Sequence, residues 1–189
     1  MITLSEAEKL NMKRILIIGG NASGKTTLSK QLSEILDLPL IHLDKLYWRD
    51  NWQHATNDEL KKLSEPELSK PQWIIDGNMK HSFKDRLKYC DTVIYLDFPT
   101  ALCVIGAIKR LINSYNKSRP DMGGTCIEKF DKNSLSFIIN IFSFNKNNRK
   151  FYQDLLEKQT SINVIVLKNR KEVKKFLNEL KKRRVSLES

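Results

Sequence analysis

Residues Gly19-Gly20-Asn21-Ala22-Ser23-Gly24-Lys25-Thr26 follow the spacing G-x-x-x-x-G-K-[ST]. The chain on either side of them narrows the fold to a few options. Before them, Arg14 to Ile18 ends in four consecutive apolar residues, three of them β-branched, the pattern of a strand buried on both faces of a parallel sheet. After them, Leu28, Leu32, Ile35 and Leu36 recur at helical spacing. A strand, a glycine-rich loop and a helix in that order form a P-loop, the cradle for the phosphates of ATP or GTP. Glycine lets the loop turn tightly and bring its N–H groups close to an anion. The positive end of the following helix faces the same anion. Lys25 brings a point charge to the β- and γ-phosphates. The Thr26 hydroxyl is placed to ligate Mg²⁺, and Thr27 to contact the α-phosphate. The cofactors expected are therefore ATP and Mg²⁺, with Gly19 to Thr27 as the binding loop.

Further strand candidates follow at Leu40 to Leu43, Trp73 to Asp76, Thr92 to Leu96 and Asn163 to Leu167, with helical segments between them. That alternation predicts an α/β fold of three layers, a five-stranded parallel sheet with helices on both faces. The chain of 189 residues reads as one domain from Met12, preceded by a polar extension, Met1 to Asn11, in which Ser5, Glu6 and Glu8 suit the opening of a short helix. Met12 is an alternative start. The stretch from about Asn113 to Asn133 breaks the rhythm; it is polar, contains Arg119-Pro120-Asp121 and Gly123-Gly124, and reads as a lid. No segment has the length of a membrane span, and no signal-peptide apolar region is present. Cys90, Cys103 and Cys126 are odd in number and lack C-x-x-C spacing, which fits free thiols in the cytoplasm. His42, His54 and His81 lack metal-ligand spacing. The net charge is +11, and more than half of the excess lies between Arg170 and Arg184, where eight basic residues face two acidic ones. Val173, Phe176, Leu177 and Leu180 form the apolar stripe of that helix. Its lysines are expected on a solvated face, so nucleic acid is not the favoured partner.

Five motifs in order, GGNASGKT, IHLDKLYW (Ile41 to Trp48), WIIDGN (Trp73 to Asn78), DTVIYLDFP (Asp91 to Pro99) and SRPDM (Ser118 to Met122), resemble the P-loop proteins known as DNA topology modulation proteins, or FlaR-related proteins. That family is a branch of the adenylate-kinase-like nucleotide kinases. The resemblance runs from Met12 over nearly the whole chain. It implies an adenylate-kinase-like fold and a kinase that moves the γ-phosphoryl group of ATP to a small acceptor such as a nucleoside or nucleotide. The family name implies instead an ATP-binding protein associated with nucleic acid. One departure stands out: the helical insert that binds a nucleoside monophosphate, with its Thr-Gly and Arg, is not recognisable after Leu43.

Asp44 is expected at the end of the second strand, where ligands of α/β sheets gather. In related small-molecule kinases an Asp there accepts a hydroxyl proton or holds Mg²⁺ through water; otherwise it caps a turn. Tyr47 and Trp48 are candidate walls of the acceptor pocket or plain core. Asp76, after Ile74 and Ile75, fits the second half of a magnesium site with Thr26, or a cap of the next helix. Gly77 and Asn78 are candidate acceptor contacts. Arg86 has the choice of clamping an acceptor phosphate or pairing with Asp85 or Asp91. Asp97 is assigned a structural role. Lys109, Arg110 and above all Arg119 are candidate cations for phosphoryl transfer, with Lys146 and Arg149 behind them. Asn169 and Arg170 are a weak pointer to the adenine. The catalytic set expected is Lys25, Asp44 and Arg119.

Overall fold

The computed structural model describes residues 12–117, 121–127 and 132–188, the side chains of 132–135, 143–147, 187 and 188 excepted. The extension before Met12, and Arg119 with the rest of 118–120, lie outside the described residues, as does the side chain of Lys146. Five strands, β1 (Arg14–Gly19), β2 (Leu40–His42), β3 (Trp73–Asp76), β4 (Thr92–Leu96) and β5 (Asn163–Leu167), form one sheet in the order 2-3-1-4-5. Every pairing is parallel. The helices are α1 (Lys25–Leu36), α2 (Leu43–Tyr47), α3 (Asn57–Leu68), α4 (Lys80–Leu87), α5 (Thr100–Ser114), α6 (Lys132–Glu157) and α7 (Arg170–Glu188), with a 3₁₀ turn at Asp50–Trp52.

Why the strands read as unbroken apolar runs is visible in the packing. Alternate residues of each strand enter opposite layers. Ile15, Ile17, Ile74, Ile94, Ile165 and Leu167 pack under Leu28 and Leu32 of α1, Cys103 and Ala107 of α5 and Phe176 and Leu180 of α7. Leu16, Ile18, Ile75, Val93 and Val164 face Leu68 of α3, Phe83 and Leu87 of α4, and Tyr152 and Leu156 of α6. The stripe expected on the last helix is thus buried. One of its basic residues closes a helix end, with the Arg184 guanidinium donating to the carbonyls of Glu34 and Ile35, at 2.9 and 3.0 Å, where α1 stops. No helix among the described residues is long and apolar enough to cross a membrane.

The structure corrects one strand boundary. β2 stops at His42, and Leu43 and Asp44 open α2. The side chain of Leu43 turns inward onto Gly77, whose φ of +132° and lack of Cβ make the approach feasible. The expected lid also differs. Its residues 115–117 follow α5, and 121–127 pack down as a strap with Asp121, Met122 and Cys126 buried. Thr125 donates its N–H and its hydroxyl to Asp50 Oδ1, at 2.7 and 2.6 Å. The anchors are isolated residues in a polar stretch and leave no periodic signal.

Gly106 of α5 lies directly against the P-loop, and a methyl group there would meet the Ala22 carbonyl. At an ordinary helix position Gly→Ala stabilises by about 0.5–1 kcal/mol. Here the sign should reverse, with Gly106→Ala losing about 1–3 kcal/mol in a denaturant titration. A stabilised variant would show that α5 does not press on the loop.

Candidate active site

The loop after β1 closes on itself in the manner its glycines permit. Gly24 takes φ +99° and caps α1 without any side-chain cap, so the first-turn N–H groups are left for a ligand. Ala22 also lies at positive φ, +58°. Lys25 Nζ folds back on the carbonyls of Gly19 and Gly20, at 3.1 and 3.0 Å. Desolvation holds its ammonium below the usual lysine value, against the opposing pull of Asp44 and then Asp76. The hydroxyl of Ser23 is buried with no hydrogen-bond partner among the described residues. An uncapped helix start, an orphan hydroxyl and a lysine on loop carbonyls are the features that a phosphate chain would satisfy.

The loop forms the floor of a cavity of about 1140 Å³. Ligand pockets are typically about 300–1,000 Å³, so this one lies just above that range. One end is lined by Asn21, Ala22, Gly24, Lys25, Thr26 and Thr27, with Lys109 and Arg110 of α5 and Arg170 of α7 above them. Arg110 lies over the Phe137 ring at 4.3 Å. Asn169 fixes the start of α7, its Oδ1 accepting the N–H groups of Lys171 and Glu172, both at 3.0 Å. That cap points the neighbouring Arg170 at the nucleotide end. Asp44 lies close enough to Lys25 to act on its ammonium, and Tyr47, Trp48, Trp52 and His54 form an aromatic cluster in the same lining, with Asn51, Gly77, Asn78 and Met79.

Several candidates fall elsewhere. Asp76 is buried and does not line the cavity; its Oδ1 meets His42 Nδ1 at 2.7 Å and its Oδ2 accepts the Ser29 hydroxyl at 2.9 Å. It caps no helix, since α4 begins at Met79 with no side-chain cap. Instead it ties β2, β3 and α1 together beneath the loop. Thr26 Oγ1 donates to Asp121 Oδ2 at 3.3 Å, so the carboxylate touching the candidate metal-ligand hydroxyl comes from the strap. Asn78 keeps its side chain for the P-loop, with Oδ1 accepting the Gly19 N–H at 3.1 Å.

Arg86 takes neither role foreseen for it. It is 1 % exposed and donates to the backbone carbonyls of Gly77, Asn78 and Met79. Burial lowers its pKa to about 10, which leaves it charged at neutral pH. Asp85 pairs with Lys88, and Asp91 with the start of β1. Asp97 takes both Arg149 nitrogens, Nε at 2.8 Å and Nη2 at 2.9 Å, a two-pronged pair that holds α6 to the end of β4. The residues that sequence reasoning passed over are His42, Ser29, Asn51, Trp52, His54 and Asp121. Of these, Asp121 and His42 lie within the ordered motifs, but nothing in a motif says which partner each meets. The rest come together through tertiary contacts that leave no periodicity.

Two solved structures share this architecture. A gluconokinase from Sinorhizobium meliloti 1021 is similar at TM-score 0.53 and 14 % identity, over 93 % of each chain. A shikimate kinase from Bacteroides thetaiotaomicron is similar at TM-score 0.51 and 16 % identity, over 94 % of this chain and 99 % of that one. These likenesses define the fold class, the adenylate-kinase-like P-loop fold with a parallel five-stranded sheet. No family model matches the sequence, and no curated protein is similar to it.

The structural role of Arg86 is directly measurable. Arg86→Met should lower stability by about 3 kcal/mol or more, because three carbonyls at one turn lose a shared buried donor. Arg86→Lys, which keeps charge but not the planar fork, should recover only part of it. An acceptor clamp would behave otherwise, with both variants melting like wild type and only the acceptor KM rising.

Proposed function

We propose that this chain is an ATP- and Mg²⁺-dependent phosphotransferase acting on the hydroxyl group of a small molecule. The observation that carries the reading is one cavity lined both by the P-loop with Lys25 and by the carboxylate of Asp44. Bound ATP with Mg²⁺ would supply the γ-phosphoryl group and offset its charge. In the transfer, the acceptor oxygen forms a bond to phosphorus as the bond to the β–γ bridging oxygen breaks, and ADP leaves. The hydroxyl proton passes to the carboxylate of Asp44. A phosphate acceptor is already an anion and needs no base, so Asp44 favours an alcohol.

The remaining residues divide the work among them. Lys25 leaves the carbonyls of Gly19 and Gly20 for the phosphates. Lys109, Arg110 and Arg170 supply positive charge over the nucleotide end, the kind of positioned cation that stabilises charge on the equatorial oxygens. Arg119, in the segment leading into the strap, belongs to the same set by its motif. Thr26 and Asp121 fit a hydrated Mg²⁺, since they offer one hydroxyl and one carboxylate side by side. Asp76 then serves from beneath, by fixing α1 through Ser29. The ordered motifs support the DNA topology modulation branch of this fold, and the free thiols of Cys90, Cys103 and Cys126 support a cytoplasmic location. A purely DNA-associated role draws only on the basic α7, whose buried stripe and cap already account for its shape.

Two variants test the proposal. Lys25→Ala should abolish most of the binding of a non-hydrolysable ATP analogue in calorimetry while the melting temperature stays near that of wild type. Equal binding by both proteins would exclude the P-loop as the phosphate site. Asp44→Asn keeps shape and hydrogen bonding but loses the base, so turnover should drop roughly 10²–10⁴-fold with little change in analogue affinity. Unaltered turnover would transfer the base elsewhere.

A further inference from the structure

The acceptor end of the cavity differs in chemistry from the nucleotide end. Tyr47 and His54 stack in parallel, with centroids 5.0 Å apart and planes 6° apart. Trp48 meets Tyr47, Trp52 and His54 edge to face at 5.0, 5.5 and 6.0 Å. Two of the three tryptophans of the chain are thus on one wall, and the third, Trp73, is sealed in the core. Met79, Met122 and Ile127 add apolar surface. The wall itself, Tyr47, Trp48, Asn51, Trp52 and His54, contains no lysine or arginine, and Lys80 of the same lining holds its Nζ 4.6 Å over the Phe151 ring. A sugar acid would need paired cations here, and a plain sugar would need polar groups around its whole rim.

A second observation concerns the backbone. Asn51 and Trp52 both adopt positive φ, +53° and +61°. Such a conformation is rare for a bulky side chain, and such strain collects at ligand sites. It is held from outside by the bonds of Thr125 to Asp50 and by Arg49 N–H donating to the Gln53 carbonyl at 2.8 Å. The result is a tryptophan 41 % exposed at the cavity wall beside an amide with both donor and acceptor.

We infer that the acceptor is a nucleoside, its flat base against the Trp48–Trp52 wall, its polar edge at the Asn51 amide and its sugar hydroxyl at Asp44. A nucleoside is neutral, planar at one end and an alcohol at the other, and the rings and the Asp44 carboxylate line one cavity. The inference rests on the phosphotransferase reading and names the substrate class of the same site.

The test is a titration of the full chain with the common ribo- and deoxyribonucleosides, in parallel with sugar acids and polyols, read by calorimetry and tryptophan fluorescence. Saturating Mg²⁺ and the non-hydrolysable ATP analogue fill the nucleotide end. At least one nucleoside should bind and quench Trp48 and Trp52. Trp52→Phe should stay within about threefold of wild type, while Trp52→Leu should lose on the order of tenfold or more, because base–ring stacking is removed. Asn51→Gly suits the left-handed turn and keeps the fold, so a two- to tenfold loss there, roughly the worth of one hydrogen bond, would report the amide itself. Equal nucleoside affinity in Trp52→Leu, phosphoryl transfer only to a ring-less alcohol, or no nucleoside binding beside a tightly bound analogue would each overturn the inference. If the analogue itself does not bind, the phosphotransferase reading falls; nucleoside titration without it then decides the inference separately, supporting it if binding is lost in Trp52→Leu and refuting it otherwise.

Discussion

A single buried cation fixes the geometry on which both ends of the cavity depend. Arg86 gathers the carbonyls of Gly77, Asn78 and Met79 around one guanidinium and so sets the turn between β3 and α4. From that turn Asn78 reaches the Gly19 N–H and positions the start of the phosphate loop. The same turn presents Gly77 to Leu43, the first residue of α2, and α2 carries Asp44 and Tyr47. A desolvated guanidinium is costly unless its protons are used; Nη1 and Nη2 spend theirs on these carbonyls, while the buried Nε has no hydrogen-bond partner among the described residues. The phosphate cradle and the acceptor wall are thereby referred to one origin. Phosphoryl transfer demands that kind of registration, because small errors in the placement of the reacting atoms cost rate steeply.

The strap adds a second connection, from above. Asp121 receives the Thr26 hydroxyl, the Gly123 N–H reaches the Asp44 carbonyl at 3.4 Å, and Thr125 holds Asp50. Gly123 and Gly124 are required there, since a Cβ on either would run into the backbone of the segment 48–50. Three successive contacts thus run from the Thr26 hydroxyl, past the proposed base, to the strained turn at Trp52. The seven described residues of the strap, 121–127, therefore touch both the P-loop and the turn at Asp50.

How much of this was legible in the sequence divides along physical lines. The parallel sheet was legible because strands buried on both faces must be apolar without interruption, and Ile15 to Ile18, Ile74 to Ile75 and Val93 to Leu96 are. The phosphate loop was legible because its chemistry fixes residue type at fixed spacing. The boundary at Leu43 was not, since an inward leucine continues a strand pattern as well as it opens a helix. Arg86 resembled a surface charge, because nothing local in Lys84-Asp85-Arg86 indicates that one of the three is in the core. The strap resembled a loose lid because its anchors, Asp121, Met122 and Cys126, have no period. Asparagine suits positive φ, but no glycine or proline stands beside Asn51 and tryptophan gives no sign of it, so the turn at Asn51 and Trp52 was passed over.

The distribution of charge then separates what the fold shares from what this chain adds. Lys25, Lys109, Arg110 and Arg170 line the cavity from three different helices, where the proposed reading places the phosphates. The acceptor end is free to vary, since only a hydroxyl has to arrive beside the transferring phosphorus. Here β2 is three residues long and α2 five, leaving a short span before α3 in which to build a wall. A span so short cannot hold a helical subdomain with its own arginines. It can hold rings, which give large contact area for few residues and little lost rotamer freedom. The brevity of the β2–α3 connection and the aromatic wall are therefore one feature, and the proposed acceptor rests on the length of that connection as much as on its composition.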